Sequence, residues 1–279
     1  MVTADARPDA SPAAGMRRIA ALLEYDGSAY AGWQAQAHAP SVQRAVEAAL
    51  GFVAGHELVA VCAGRTDAGV HALGQVIHFD TSAQRTARAW VLGANTRLPA
   101  DVALRWAAEA PAAFHARYSA VRRTYRYLIL NRSARSALAR QRAAWIHRPL
   151  EVERMNTAAA VLIGEHDFSA FRSVECQSTS TRRRIERLIV ARSADLVWVE
   201  ITANAFLHHM VRNIVGTLIE VQVLADPAAA LAEILASGDR RRGGPTAPAC
   251  GLYLWHVDYP APFAVPGPDP SAAAAQVFC

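Results

Sequence analysis

Short apolar runs typical of β-strands alternate with two helical stretches over the first 108 residues of this chain. The first run, Arg18–Tyr25, ends at an Asp-Gly turn, and Ser41 then caps a helix whose apolar residues recur at helical spacing. The predicted order is strand, helix, strand, strand, helix and strand, at 18–25, 42–50, 57–63, 74–80, 86–94 and 102–108. This is the order of a ferredoxin-like α+β unit, in which the helices cover one face of the sheet.

The rest of the chain shows the same style of pattern with less clarity. Strands are predicted at 119–130, 143–147, 184–192, 196–203 and 251–257, and helices at 151–162, 207–224 and 227–237. We therefore predict a duplicated α+β architecture without a detectable sequence repeat. The predicted segments are a disordered leader at 1–16, an N-terminal half at 17–112, a C-terminal half at 113–259 and a Pro/Ala-rich tail at 260–279, without a packing pattern.

One carboxylate, Asp67, lies in a glycine-punctuated turn between the second and third predicted strands. Arg65 precedes it by two residues and Ala68-Gly69 follows, so no bulky side chain crowds the acid. A nearby guanidinium favours the ionised form, and loops between rigid strands are where catalytic groups concentrate. Asp before Ala-Gly is also ordinary turn chemistry, and from these few residues alone we favour the turn.

The predicted strand at 119–130 carries aromatic residues interleaved with arginines. Because side chains alternate along a strand, Tyr125 and Tyr127 share one face, while Arg122 and Arg126 share the other. This combination suits base stacking and phosphate binding. Aromatic residues on strands are also common in cores, and for Tyr127 we favour the core.

The helix predicted at 207–224 has an apolar stripe, with Arg212 and His208 at its margin. Arg212 there can pair with a catalytic carboxylate while its stem stays buried, or it can be an ordinary surface residue. His208 and His209 are adjacent, and adjacent positions on a helix point about 100° apart. The sequence therefore does not predict a metal site at these two residues.

Arginine alone carries the positive charge of the chain. All 29 basic residues are Arg and the formal net charge is +5, so Schiff-base lysine chemistry and a P-loop lysine are excluded. From Ala110 through Leu150 there are nine arginines and no acidic residue. A concentration of one sign favours a polyanionic partner, and nucleic acid is the expected one.

Cysteine spacing and hydropathy exclude several other classes. The four cysteines are scattered without ligand spacing, so neither a zinc site nor a disulfide framework is predicted. No apolar run approaches the roughly 18–20 residues needed to cross a bilayer, and the first residues lack the pattern of a signal peptide. A cytoplasmic protein that does not bind membranes is expected.

The stretch GRTDAGVHALGQVIHF, Gly64–Phe79, resembles the signature of the tRNA pseudouridine synthase A family. The stretches EYDGSAYAGWQ, RRTYRY, ANAFLHHMVRNIVG, GLYL and DYP also look like this family, and the resemblance runs from about Arg18 to Tyr259. It implies the pseudouridine-synthase fold: two ferredoxin-like or RRM-like halves joined in a mainly antiparallel mixed sheet with flanking helices. It implies an isomerase that converts uridine to pseudouridine at positions 38, 39 and 40 in the anticodon stem-loop of tRNA. The resemblance also implies a homodimer that needs no cofactor or metal.

The same resemblance implies roles for individual residues. Asp67 would be the nucleophile, with Arg212 as its cationic partner. Tyr125 would stack on the uracil, Arg65 would lie beside the flipped nucleotide, and Leu252 would form an apolar wall for the base.

Two alternatives remain at this stage. A non-catalytic RNA-binding module would not need Asp67. A glycoside- or nucleoside-hydrolysing enzyme usually needs two carboxylates, whereas this loop offers one.

Overall fold

The computed structural model describes residues 11–176, 178–263 and 265–267. Two compact units are present: within the described residues, the first takes the chain up to Val121 and from His256 onward, and the second takes Arg122–Trp255. This division places residues 113–121, which the sequence groups with the C-terminal half, in the first unit. There Phe114 packs on Tyr259, with ring centroids 5.1 Å apart, and the Val121 N–H donates to Asp258 O.

The first unit has the predicted order of elements. Its elements are β1 (Arg17–Tyr25), α1 (Val42–Ala54), β2 (Val61–Cys62), β3 (His71–Thr81), α2 (Ala87–Asn95) and β4 (Val102–Ala110). The strands lie in the order β4-β1-β3-β2 with antiparallel pairs, which is the ferredoxin-like order. Ser41 caps α1 as predicted, because its hydroxyl accepts the Arg44 N–H.

The second unit repeats this order with two short additional strands and one additional helix. Its elements are β5 (Arg122–Asn131), β6 (Ala144–Ile146), α3 (Val152–Ala159), β7 (Gly164–Asp167), β8 (Arg182–Ser193), β9 (Leu196–Ala203), α4 (Met210–Val221), α5 (Pro227–Ser237) and β10 (Leu252–Asp258), whose last residues belong to the first unit. The strand order is β10-β5-β9-β8-β7, and β6 pairs in parallel with β5. Without β6, β7 and the additional helix α5, this is again the ferredoxin-like order, so the predicted α+β class is confirmed.

Four local predictions differ from the structure. The strand predicted at 57–63 is only two residues long, Val61–Cys62. Helix α4 begins at Met210 rather than 207, because His209 has a left-handed backbone with φ +61°. Strand β7 was missed, since GEHD lacks an apolar alternation. Phe263, in the segment predicted to lack packing, lies against Phe114 with ring centroids 5.2 Å apart.

Parts of other predictions fall outside the described residues: most of the leader (1–10), most of the tail (264 and 268–279) and Cys279. Among the described cysteines, Cys62, Cys176 and Cys250, no disulfide is formed. Among the described helices, none combines the length and the apolar character needed to cross a membrane.

Candidate active site

The Asp67 loop, residues 63–70, joins β2 to β3 and carries Asp67 half-buried and Arg65 exposed. Its first residues are held by Gln75, a fully buried side chain on β3. The Gln75 amide donates to Gly64 O at 2.7 Å and to the Tyr25 hydroxyl at 3.3 Å. Tyr25 in turn bonds the Thr66 hydroxyl at 2.8 Å, so neutral hydrogen bonds fix the backbone on the N-terminal side of Asp67.

The segment 27–33 supports the same loop from behind. The Trp33 N–H donates to Thr66 O at 3.0 Å, and the Gly69 N–H donates to Tyr30 O at 3.2 Å. Gly32 has φ +99°, and a Cβ added there would lie 2.5 Å from Thr66 O. Only glycine allows this approach of two backbones. The structure thus gives EYDGSAYAGWQ a physical role, which is to brace the loop that carries Asp67.

Tyr125 lies on β5 and is 8% exposed. Phe206, in the loop before α4, meets its ring edge-to-face with centroids 5.0 Å apart, which holds the orientation of the ring. Sequence analysis did not select Phe206. Tyr127 is fully buried, its hydroxyl donates to Pro248 O at 2.7 Å, and burial raises its pKa. The predicted core role of Tyr127 is confirmed.

Arg212 lies in the first turn of α4 and is half-buried. Its Nε–H donates to Ala247 O at 2.8 Å, while the Ala247 N–H donates to Arg212 O at 3.1 Å. His208 precedes the helix, so it does not share a helical face with Arg212. The rings of His208 and His209 lie 4.0 Å apart, and the argument from helical divergence does not apply to them.

Leu252 opens β10 and is 6% exposed. The preceding residue, Gly251, has no room for a side chain, because an added Cβ would lie 2.7 Å from both Leu128 O and the Tyr127 ring. The close packing of Gly251 therefore sets the position of Leu252. Together with the Tyr127–Pro248 bond, it ties the segment before β10 to β5.

Within each unit, the structure groups the predicted residues. Arg65 and Asp67 share one loop of the first unit. Tyr125, Arg212 and Leu252 belong to the second unit, where Ala247 and Pro248 bond to α4 and β5.

Comparison with known proteins places this chain in a family. A family model described as tRNA pseudouridine synthase matches residues 21–119 and 158–260. The chain belongs to the tRNA pseudouridine synthase family. Proteins named tRNA pseudouridine synthase A from Hydrogenovibrio crunogenus and Legionella pneumophila strain Corby are 49% and 52% identical to it over 251 and 255 residues. Those alignments cover 90% of this chain and 96% and 97% of the two relatives. A protein of the same name from Cronobacter sakazakii is 51% identical over 90% of this chain and 93% of its own length.

The match to the tRNA pseudouridine synthase family model includes four of the five predicted site residues. Arg65 and Asp67 fall in its first stretch, and Arg212 and Leu252 fall in its second. Tyr125 lies between the two matched stretches.

In the folded protein, carboxylates from other parts of the chain neutralise several arginines of the region 110–150. Arg126 is buried against Glu200 at 2.6 Å and stacks over Trp255 at 4.0 Å. Three further arginines of the region pair with carboxylates from other elements: Arg122 with Glu186, Arg132 with Asp195 and Arg148 with Glu220. Other arginines, among them Arg117, Arg135, Arg140 and Arg142, are exposed. The absence of acids along the sequence therefore overstated the positive surface of residues 110–150.

Proposed function

We propose that this chain is an isomerase that converts uridine to pseudouridine at positions 38, 39 and 40 in the anticodon stem-loop of tRNA, with Asp67 as the nucleophile and without a cofactor. Membership of the tRNA pseudouridine synthase family supports the reaction. The Asp67 loop is the observation that carries the assignment of the nucleophile. It presents one half-buried carboxylate on a backbone held by Gln75 and by the segment 27–33.

The reaction exchanges one bond of the base for another. The bond between uracil N1 and ribose C1′ breaks, the base turns, and a bond between C5 and C1′ forms. C5 loses its proton and N1 gains one, so no electrons are supplied or removed. The Asp67 carboxylate attacks ribose C1′ or uracil C6, and it must be ionised for either route.

The other site residues serve the flipped nucleotide. A uridine in a stem must leave the base stack to reach a loop, and exposed Arg65 then occupies the space beside it. Tyr125, held by Phe206, stacks on the uracil, and Leu252 forms an apolar wall. Arg212 supplies the cation that keeps the carboxylate ionised.

Contacts with the tRNA backbone are proposed for the exposed arginines of the loop between β5 and β6, namely Arg135, Arg140 and Arg142. Phosphate contacts of this kind weaken as salt rises.

A homodimer with tRNA lying across both subunits, and a cytoplasmic location, belong to the same proposal. Sedimentation checks the dimer, which should have twice the 30.0 kDa mass of one chain; a species of monomer mass alone would contradict it.

One experiment separates this function from its alternatives. Wild-type protein and Asp67→Asn are compared for pseudouridine formation in tRNA, for release of free uracil, and for tRNA binding at increasing salt. We expect Asp67→Asn to lose at least about 1,000-fold in rate, because an amide is not a nucleophile of this kind, and to keep its binding. Full turnover by the variant would overturn the role of Asp67. Binding without any turnover by wild type would favour an RNA-binding module, and release of uracil would favour a hydrolase.

A further inference from the structure

We propose that Arg240 is a positioning residue for Arg212, acting through Asn213, Thr246 and the carbonyl of Ala247. This inference rests on the proposed function, in which Arg212 is the cationic partner of the catalytic carboxylate. All of its residues belong to the second unit.

The centre of this arrangement is the buried amide of Asn213, which is 1% exposed and lies next to Arg212 on α4. Its Oδ1 accepts from the Thr246 hydroxyl at 2.7 Å and from Arg240 Nη2 at 3.0 Å. The same Nη2 donates to the Thr246 hydroxyl at 3.1 Å. Asn213 Nδ2 donates to Phe171 O at 2.8 Å, so both ends of the amide are oriented. Three side chains from two distant parts of the sequence therefore form one closed set of hydrogen bonds.

This set holds the segment 243–247 against the first two turns of α4. Gly244 donates its N–H to the Thr217 hydroxyl at 2.9 Å. A Cβ added to Gly216 would lie 1.8 Å from Pro245 O, so helix and segment are in direct backbone contact. The segment ends at Ala247, whose carbonyl accepts the Arg212 Nε–H. Because that bond lies in the guanidinium plane, the position of Ala247 determines where the two terminal nitrogens of Arg212 point.

The chemistry of Arg240 distinguishes it from its neighbours. Arg241 and Arg242 are exposed and pair with Asp239 and Glu233. Among the described residues, Arg240 instead bonds neutral oxygens, and burial lowers the pKa of its guanidinium. Arg240 is half-buried, and even partial burial of a cation among neutral partners is unfavourable for folding alone. A role in fixing the geometry of Arg212 explains why a cation lies there.

A double-mutant cycle tests the proposal, with kcat and KM for tRNA measured for wild type, Arg240→Ala, Arg212→Ala and the double variant. We expect Arg240→Ala to lower kcat by about 10- to 100-fold, because small misplacements of a catalytic group are costly. KM should change less than about threefold. In the Arg212→Ala background, loss of Arg240 should cost less than about threefold, since residues that act through one another are not additive. Arg241→Ala is the matched control, and it should leave kcat unchanged.

The outcomes separate this inference from the function on which it rests. If Arg212→Ala is impaired and the Arg240→Ala loss is fully additive, the positioning role is wrong while the proposed function stands. If Arg212→Ala keeps full activity, the role proposed for Arg212 fails first. Should Arg240→Ala not fold, Thr246→Val enters the same cycle, because it removes one hydroxyl and keeps the shape. Additivity of Thr246→Val with Arg212→Ala would likewise overturn the proposal.

Discussion

The Asp67 loop and the start of helix α4 each carry a charged residue of the proposed site, but different contacts hold them. Behind Asp67, two backbones meet at a glycine, and the supporting side chains Gln75 and Tyr25 are neutral. Around Arg212, the support comes from a segment some thirty residues further along the chain, which is held by a half-buried cation, Arg240. Both regions contain a backbone contact that leaves no room for a Cβ, at Gly32 and at Gly216, but only the second includes a cation among its supporting side chains. Substitutions should therefore affect the two regions in different ways.

The largest effect on stability and activity is expected from a side chain added at Gly32, where the segment 27–33 contacts the Asp67 loop. A side chain at Gly32 would meet Thr66 O at 2.5 Å, at a position where φ is +99°. We expect Gly32→Ala to lower the free energy of unfolding by about 2–4 kcal/mol. In the protein that still folds, kcat should fall at least about tenfold, because Asp67 shifts with the backbone. Urea denaturation and turnover on tRNA measure the two effects.

Gly55 provides a matched control for Gly32. It also has a left-handed backbone, with φ +80°, but a Cβ added there meets nothing within 4 Å. Gly55→Ala should lose only the cost of that backbone, about 1–2 kcal/mol, and keep its kcat. Equal losses of kcat in the two variants would show that contact with the Asp67 loop is not the cause.

A smaller effect is expected from the hydrogen bonds that Gln75 makes to the Asp67 loop. Gln75→Leu removes the partner of Gly64 O inside the core, which should lower the free energy of unfolding by about 1–3 kcal/mol. The loss of a fixed loop should also lower kcat about tenfold. Gln222, equally buried and bonded to Glu151 N–H and Pro149 O, is the control for stability. If Gln222→Leu lowers kcat as much as Gln75→Leu, the bracing role assigned to Gln75 is wrong.

The smallest expected effect is the change of stability with pH, and the groups that cause it all lie in the first unit. Burial, with Arg18 and His115 nearby, lowers the pKa of His78 to about 3, against the opposing effect of Asp80. The unfolded chain binds this proton below about pH 6.5, but the folded chain does not, so stability falls as pH drops from 6.5 towards 3. The expected loss at pH 5.5 is about 1.4 kcal/mol.

Urea midpoints between pH 7.5 and 4.5 measure this slope. His78→Asn keeps an acceptor for the Ala116 N–H, which His78 Nδ1 accepts at 3.1 Å, and removes the titrating group. It should be less stable than wild type at pH 7.5 because the side chain is smaller. Its stability should nevertheless vary less between pH 6.5 and 5. An unchanged slope would assign the acid sensitivity to other groups.

The accuracy of the sequence predictions depended on how local the relevant contacts are. The order of strands and helices in the first unit, the cap at Ser41 and the buried position of Tyr127 follow from periodicity and short-range chemistry, and all three are confirmed. The start of α4 was wrong because a left-handed histidine leaves no sequence signal. Phe206 and Arg240 were missed because their partners, Tyr125 and Asn213, are far away along the chain.

By itself, the sequence determined the α+β class of this protein, its membership of a family of RNA-modifying enzymes and the position of one accessible carboxylate. Those properties follow from local sequence patterns, which can be recognised without knowing which residues pack together in the fold. Only the tertiary structure decided which arginines are exposed, since Glu200 neutralises Arg126 from a strand 74 residues away. It also decided what holds Asp67 and Arg212, because close backbone contacts and buried hydrogen bonds join segments that no spacing rule connects.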